Sequence, residues 1–281
     1  MARLNAVTTP LPPIAIIGAG SMGGAILSGL LAPSVTTGGI RATNRTEAKA
    51  AALRRDGVES FALENTPDGN RRAVEGAGIV LLGVKPAMVA ETLAELAPAL
   101  GADALVISVA AGIPIATMEA IVPGPVLRAM PNTPAIVGRA VTGLAAGSRA
   151  TAEQLALGRA VFETVGTVVE VPEGQIDALG TISGSGPAYV FYLVEELTRT
   201  AVGLGFTPAQ AIELVTGTFL GAAELLVQSG EDPAELRRQV TSPKGTTERA
   251  IAVMQEADLS AMFDRATAAA LARSRELAAG S

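Results

Sequence analysis

A glycine-rich turn near the start of the chain has the residue types and spacing best suited to binding a ligand. An apolar run over residues 14–17 leads into Gly18-Ala19-Gly20-Ser21-Met22-Gly23, and a helical pattern follows over residues 22–31. In such a turn the first glycine permits the tight bend, the second lets the backbone approach a pyrophosphate, and the third lets helix and strand pack. Free N–H groups and the helix dipole then favour phosphate. The spacing predicts a dinucleotide site; an ordinary strand-to-helix turn is the alternative.

The residues that follow the second predicted strand bear on which dinucleotide binds. Sites for NAD place Asp or Glu here to bind the ribose 2′-hydroxyl, but this chain has Thr43-Asn44-Arg45-Thr46. Asn44 can hydrogen-bond a phosphate without repelling it, and Arg45 can pair with it. The pattern favours NADPH, with NADH as the weaker cofactor. The alternative is that Arg45 is a solvated loop residue.

The acids and bases that the chain lacks restrict its chemistry. It has no histidine and no cysteine, only three lysines (Lys49, Lys85, Lys244) and two tyrosines (Tyr189, Tyr192). Imidazole bases, thiolate catalysis and the usual His or Cys metal sites are therefore excluded, and we predict no metal. Reduction of a ketone yields an alkoxide and needs a strong proton donor, whereas a protonated imine is already electrophilic. This composition favours an imine as substrate.

A second candidate anion site lies far along the chain. Ser242-Pro243-Lys244-Gly245-Thr246-Thr247 precedes a helical pattern over residues 247–257. Hydroxyls beside the free N–H groups of a helix start could hold a carboxylate. A plain Ser/Thr N-cap is the alternative.

The elements that must position these residues differ between the two halves of the chain. Strand and helix patterns alternate in the first half, which predicts a parallel, doubly wound sheet. Its strands are predicted at residues 14–17, 40–43, 79–84, 104–109, 126–129 and 141–145, with helices at 22–31, 47–55 and 86–100. The strand ends at residues 83–86, 109–112 and 130–134 should then face the same crevice.

Beyond a last strand signal at residues 167–171, the second half is helical in pattern. Helices are predicted at residues 187–202, 208–228, 247–257 and 260–279. We therefore divide the chain into an α/β domain, residues 1–172, and an all-α domain, residues 173–281. The first carries 13 acidic and 13 basic residues and the second 14 acidic and 8 basic, so the excess negative charge lies in the second.

Composition excludes several broad classes. The net charge of −6 with aromatics at 3% is unfavourable for nucleic-acid binding. No uninterrupted apolar run reaches the roughly 18 residues of a membrane span. Residues 1–13 contain one arginine and no apolar core of a signal peptide, so they are predicted to be a short loose tail. The cytoplasm is the expected location.

Five segments together resemble the pyrroline-5-carboxylate reductase family. They occur in the family's order and span residues 14 to about 276. The segments are Ile17-Gly18-Ala19-Gly20-Ser21-Met22-Gly23, Gly83-Val84-Lys85-Pro86, Met130-Pro131-Asn132-Thr133-Pro134, Ser183-Gly184-Ser185-Gly186-Pro187-Ala188-Tyr189 and Val240-Thr241-Ser242-Pro243-Lys244-Gly245-Thr246-Thr247. The first is shared with many reductases, and the last two are much more specific.

The resemblance implies an α/β Rossmann-type doubly wound sheet followed by an all-α dimerisation domain. It implies reduction of the cyclic imine (S)-1-pyrroline-5-carboxylate to L-proline, the last step of proline biosynthesis, in a homodimer or ring of dimers whose interlocked helical domains build the site. The cofactor contacts it implies are Ile17, Gly18, Ala19, Gly20, Ser21, Met22, Asn44, Arg45, Asn70, Val84, Lys85, Pro86, Ala110 and Ala111. The substrate contacts it implies are Ser242, Gly245, Thr246 and Thr247.

Two roles follow for residues in these segments. Thr247 is the best-placed hydroxyl to hydrogen-bond the ring nitrogen, orienting the substrate rather than transferring a proton. The segment 183–187 opens the long helix at 187–202, either as a plain helix cap or also as a floor beneath nicotinamide and substrate.

One position departs from the resemblance. The family usually has Gly-Gly where this chain has Lys244-Gly245. If the first glycine is needed for a positive φ, lysine there is strained by about 1–2 kcal/mol. Lys244 either points to solvent or adds a cation beside an anionic substrate.

Three other functions share parts of this pattern. A β-hydroxyacid dehydrogenase would need a catalytic lysine on the first long helix after the α/β domain, and no lysine occurs between Lys85 and Lys244. A reductase of a cyclic imine of different ring size has the same requirements as the favoured function. A non-catalytic NADP-binding regulator would bind cofactor without turnover.

Overall fold

The computed structural model describes residues 10–278. The chain forms two compact units, one containing the described residues up to Ser185 together with the end of the last helix from Leu271, and one containing Gly186–Ala270. The predicted loose tail, residues 1–13, lies mostly outside the described residues. Its described end is ordered against the sheet, because Leu11 is buried and its N–H donates to Thr36 O.

The first unit is built on an eight-stranded sheet of order β3-β2-β1-β4-β5-β6-β7-β8. All neighbours are parallel except β6 and β7, which are antiparallel. The strands are β1 Ile14–Ile17, β2 Ile40–Asn44, β3 Val58–Ala62, β4 Ile79–Leu82, β5 Leu105–Ser108, β6 Val126–Met130, β7 Ala140–Ala146 and β8 Gly166–Glu170. The prediction of a doubly wound α/β sheet is confirmed, and the expectation of parallel strands is wrong only where β7 pairs with β6.

Helices connect the strands and form the second unit. The first unit carries α1 Ser21–Leu30, α2 Glu47–Ala51, α3 Gly69–Val74, α4 Val89–Leu96, α5 Ile115–Glu119, α6 Ala152–Glu163 and α7 Ile176–Leu179. The remaining helices are α8 Gly186–Gly203, α9 Pro208–Ser229, α10 Pro233–Gln239, α11 Thr246–Glu256 and α12 Leu259–Ala278. Position 279, the predicted end of the last helix, lies outside the described residues.

The central strands are buried because helices cover both faces of the sheet. Alternate residues of β1 enter two separate apolar clusters: Ile14 and Ile16 face one, and Ala15 and Ile17 face the other. Each fully buried isoleucine contributes roughly 1.5–3 kcal/mol relative to an exposed one. This explains the continuous apolar runs in the sequence.

The second unit buries little apolar surface of its own. The long helix α9 begins with a capping box between Thr207 and Gln210, and its C-cap is Gly230, whose φ is +65°. By length and composition α9 could cross a membrane. A count of uninterrupted apolar residues does not detect this helix, because Glu213 and Glu224 interrupt its apolar run. Its exposed leucines fit burial against another protein chain equally well.

Candidate active site

The glycine-rich turn has the geometry that its spacing predicts. Gly18 has φ +79°, and a Cβ built on it would lie 2.9 Å from Val84 Cγ1. A Cβ on Gly23 would lie 3.2 Å from Ile16 Cγ2 on the preceding strand. Gly20 donates its N–H to Gly18 O at 2.7 Å, which closes the turn. The first glycine therefore allows the left-handed bend, and the third allows α1 to pack on β1.

The start of α1 is open for an anion. Gly20 is its N-cap, and among the residues that the structure describes no side chain caps this end. The first turn contains no acidic residue, and Gly20 and Ser21 are exposed. Because unpaired N–H groups and the helix dipole attract phosphate, these residues fit the pyrophosphate of a dinucleotide.

The ends of β1, β4 and β5 lie at one edge of the sheet. Ile17 pairs with Leu82, and Leu82 with Ser108, so the segments after them are neighbours. A Cβ on Gly83 would lie 2.7 Å from Gly18 O, so this position needs glycine for the two turns to approach. The structure thus places Val84, Lys85, Pro86, Ala110 and Ala111 at the predicted edge, with Lys85, Pro86 and Ala111 exposed.

The end of β2 supplies further polar groups beside the turn. Thr43 accepts the Gly18 N–H at its Oγ1 (3.1 Å), which fixes the turn against β2. Asn44 is only 5% exposed, and within residues 10–278 its Nδ2 has no hydrogen-bond partner. Arg45 is exposed. A buried amide without a partner beside an exposed arginine fits a bound phosphate oxygen.

Asn70 belongs to a different element from the other implied cofactor contacts. It lies on α3 and is buried, with Nδ2 donating to Glu95 Oε2 at 3.2 Å. In the described part of the chain, its Oδ1 has no hydrogen-bond partner. The amide is therefore oriented by Glu95 and retains one acceptor for a ligand.

Two residues with carboxylate side chains lie near Arg45: Glu47 is two positions away in the chain, and the N–H of Glu64 donates to Arg45 O at 3.1 Å. Glu64 accepts the Glu47 N–H at 2.5 Å, and Glu47 forms an ion pair with Arg54. The hydrogen bond from Arg54 lowers the pKa of Glu47, so this carboxyl group remains ionised at neutral pH. Arg54 offsets the charge of Glu47, and among residues 10–278 Arg45 forms no ion pair, so its guanidinium is available for an anionic ligand.

The loop before α11 has an unusual backbone. Lys244 has φ +62°, and its N–H donates to Glu248 Oε2 at 2.8 Å. Gly245 is the N-cap of α11, and no side-chain cap is found at this helix start within the described residues. The plain Ser/Thr cap interpretation is therefore wrong. The hydroxyls of Ser242, Thr246 and Thr247 are not used as helix caps, and the strain foreseen at Lys244 is present.

The positive φ of Lys244 has a measurable cost. We expect Lys244→Gly to raise the free energy of unfolding by about 0.5–1 kcal/mol, because relief of left-handed strain exceeds the greater freedom of glycine in the unfolded chain. Urea unfolding followed by circular dichroism measures this. Lys49→Gly, inside α2, is the control and should lose about 0.5–1 kcal/mol. A loss of stability in both variants would contradict the prediction.

Arg128, in the first unit, has a structural role that was not predicted from the sequence. Arg128 on β6 has a side chain only 4% exposed, paired with Asp177 at 2.6 Å and Glu173 at 3.6 Å. Glu173 also accepts the Ile115 N–H at 2.6 Å. A charge in the middle of a predicted apolar strand was the available signal, since a buried arginine requires partners.

Comparison with known proteins identifies the family. A family model described as pyrroline-5-carboxylate reductase dimerisation matches residues 173–277, and one described as NADP oxidoreductase, coenzyme F420-dependent, matches residues 13–112. A curated pyrroline-5-carboxylate reductase from Corynebacterium melassecola is 41% identical over 269 residues, covering 94% of this chain and 98% of the relative. The chain belongs to the pyrroline-5-carboxylate reductase family.

Solved structures agree with membership of the pyrroline-5-carboxylate reductase family. The family member from Coxiella burnetii is 35% identical, has a TM-score of 0.86, and covers 94% of this chain and 97% of its own. A Plasmodium falciparum pyrroline carboxylate reductase, solved with NADP bound, is 23% identical with a TM-score of 0.80, covering 95% of this chain and 98% of its own. The second supports the fold alone.

Proposed function

We propose that this chain is an NADPH-dependent reductase of (S)-1-pyrroline-5-carboxylate, forming L-proline in the last step of proline biosynthesis. The observation that carries the proposal is the 41% identity with a curated pyrroline-5-carboxylate reductase over nearly the whole of both chains. The open start of α1 and the strand edge beside it support a dinucleotide cofactor. NADH is the weaker alternative cofactor.

The cofactor would be held by residues of the first unit. The backbone from Ile17 to Met22 faces the pyrophosphate, Asn44 and Arg45 bind the 2′-phosphate, and Asn70 offers its free acceptor. Val84, Lys85, Pro86, Ala110 and Ala111 line the edge at the nicotinamide. The bound cofactor supplies the hydride for the C=N bond, and the protein orients it.

The substrate would be held by the loop before α11. The backbone N–H of Thr246 and the hydroxyl of Ser242 bind the carboxylate, and Thr247 hydrogen-bonds the ring nitrogen. Gly245 lies beside them and shapes the loop, since its own N–H donates to Ser242 O at 2.9 Å. Local donors are needed because residues 173–281 carry excess negative charge, which repels an anion. A protonated imine needs orientation rather than a strong acid, which suits a chain without histidine.

We further propose that the protein is a homodimer, or a ring of dimers, and is cytoplasmic. The match to a dimerisation model over residues 173–277 supports self-association. The exposed apolar residues of α8 and α9, including Phe191, Leu220 and Val227, support burial against a second copy. Light scattering and cell fractionation test these two statements.

The decisive assay follows NADPH oxidation at 340 nm with pyrroline-5-carboxylate. The six-membered piperideine carboxylate and a β-hydroxyacid with NADP are run alongside. Turnover on the five-membered imine alone supports the proposal. Preference for the six-membered ring would keep the chemistry but change the substrate, and tight NADPH binding without imine turnover would favour the regulator.

Thr247 is the residue whose removal tests the orientation role. We expect Thr247→Ala to lower kcat/KM for the imine about tenfold, since one net hydrogen bond contributes about 0.5–1.5 kcal/mol. NADPH affinity, measured by fluorescence titration, should be unchanged. Thr267→Ala, on α12, controls for loss of a threonine hydroxyl. Unchanged turnover in Thr247→Ala would remove this residue from the mechanism.

Arg45 is the residue whose removal tests the cofactor preference. We expect Arg45→Ala to reduce the ratio of kcat/KM for NADPH over NADH about tenfold or more, because a charge-assisted hydrogen bond contributes about 1.5–3 kcal/mol. Arg55→Ala removes another exposed arginine of the same unit and should leave the ratio as it is. If both variants keep the wild-type ratio, Arg45 does not select the cofactor.

A further inference from the structure

Asn132 joins two parts of the first unit that are distant in sequence. It lies in the connection after β6, and only 7% of the residue is exposed. Its Nδ2 donates to Ser183 O at 2.9 Å, and its Oδ1 accepts the Val141 N–H at 2.9 Å. Both ends of the amide are therefore used, and one side chain connects the start of β7 to the turn at residues 180–184.

The turn that Asn132 holds is a π-helix, Gly180–Gly184. Its wide ring is closed by the Ser185 N–H donating to Gly180 O at 2.9 Å. Gly180 lies against the end of β6, since a Cβ built on it would be 3.7 Å from Met130 Cε. Single π turns are uncommon and occur often at functional sites.

The hydrogen bond to Ser183 places this turn at a definite edge of the sheet. Asn132 follows the carboxyl end of β6, and β6 pairs in parallel with β5, Ser108 lying beside Arg128. The segment after β5 contains Ala110 and Ala111, which the proposed function assigns to the nicotinamide. Ser183 is thus held at the same edge as that segment, where ligands bind in open parallel sheets.

We propose that Asn132 is a positioning residue for the reaction: its amide holds the π-helical turn at the carboxyl edge of β5 and β6, beside the segment that the proposed function assigns to the nicotinamide. This inference rests on the proposed function. Because both ends of its amide are already hydrogen-bonded within the protein, Asn132 would act through the turn rather than by binding substrate or cofactor. Its loss is expected to impair productive binding of the imine more than binding of the cofactor, whose phosphates lie at β1 and β2.

The isosteric variant Asn132→Asp separates donor from acceptor. The introduced carboxylate keeps an oxygen for the Val141 N–H but cannot donate to Ser183 O until it is protonated. We expect kcat/KM for pyrroline-5-carboxylate to fall at least tenfold at pH 8, with the Kd of NADPH changed less than threefold. The ratio of kcat/KM in Asn132→Asp to kcat/KM in the wild type should be at least threefold higher at pH 5.5 than at pH 8.

Two further variants separate positioning from loss of stability. Asn132→Ala removes both donor and acceptor, so its kcat/KM for pyrroline-5-carboxylate should fall and should not recover at low pH relative to the wild type. Thr151→Ala removes the capping box of α6 and should lower the Tm while leaving kcat/KM unchanged. If Asn132→Ala does not fold, the pH dependence of the kcat/KM ratio between Asn132→Asp and the wild type still tests the inference.

Two results would overturn the inference: wild-type kcat/KM in either Asn132 variant, or a pH-independent ratio for Asn132→Asp. A wild-type protein that binds NADPH but reduces no imine would overturn the proposed function instead. A wild-type protein that turns over normally alongside unimpaired variants would leave the proposed function intact and remove the role of Asn132. The two failures are therefore distinguishable in one set of assays.

Discussion

Replacing Gly18 with alanine is expected to weaken NADPH binding roughly 30- to 150-fold. At φ +79° an alanine is strained by about 1–2 kcal/mol. Its Cβ would also lie 2.9 Å from Val84 Cγ1 and 3.2 Å from the Gly83 carbonyl carbon. The combined cost, about 2–3 kcal/mol, is relieved only when the turn moves away from the end of β4, which misplaces the N–H groups that face the pyrophosphate. Fluorescence titration with NADPH measures the loss.

Gly57→Ala is a closely matched control for Gly18→Ala. Gly57 has φ +81°, almost the same angle, and among the described atoms none lies within 4 Å of a Cβ built on it. It precedes β3, at the opposite end of the strands from the cofactor turn. This variant should lose stability from the same backbone strain and still bind NADPH normally. Equal affinity losses in the two variants would mean that strain alone, and not the approach of β4, explains the effect of Gly18.

The strands that position the cofactor turn were predictable from the sequence because they are buried on both faces. Runs such as Ile79–Leu82 and Leu105–Ser108 need no polar face, so they are continuous in the sequence. Strand β3, Val58–Ala62, was missed. It lies at the edge of the sheet and contains an exposed Glu59, so its pattern is broken.

The direction of β7 was predicted wrongly, although the sequence contains the information needed to predict it. A parallel neighbour requires a crossover of a dozen or more residues, usually with a helix. Only residues 131–139 connect β6 to β7, and they form a short 3-10 helix at Thr133–Val137. Connection length, rather than the pattern of the strand itself, was the informative signal, and it permits only an antiparallel return.

The site was predictable where a short sequence motif sets the backbone conformation, and less so where contacts are long-range. The turn at Gly18 and the loop at Lys244 follow from local φ angles and close approaches. The hydrogen bond from Asn132 to Ser183 spans 51 residues, and the ion pair of Arg128 with Asp177 spans 49. No periodicity encodes such partners, because each depends on how the whole sheet is assembled.

Loss of Arg128 is expected to be the most destabilising single change considered for the first unit. Arg128→Met should lower the free energy of unfolding by about 3 kcal/mol, since removing one member of a buried ion pair costs about 3–5 kcal/mol. The lower end applies because the Asp177 and Glu173 side chains are 27% and 34% exposed, so water solvates them in part. Thermal unfolding should show a Tm lower by roughly 6–12 °C.

Arg159→Met tests whether the stability lost in Arg128→Met is caused by burial of the ion pair or by loss of charge pairing alone. Arg159 on α6 also contacts two carboxylates, Glu163 at 3.3 Å and Glu170 at 2.6 Å, but its side chain is 36% exposed. Exposed ion pairs contribute about 0–1 kcal/mol, so this variant should lose far less stability. Similar losses in both variants would contradict the argument. A large loss confined to Arg128→Met would mean that this arginine fixes α7 to β6, and with it the residues that lead into the turn held by Asn132.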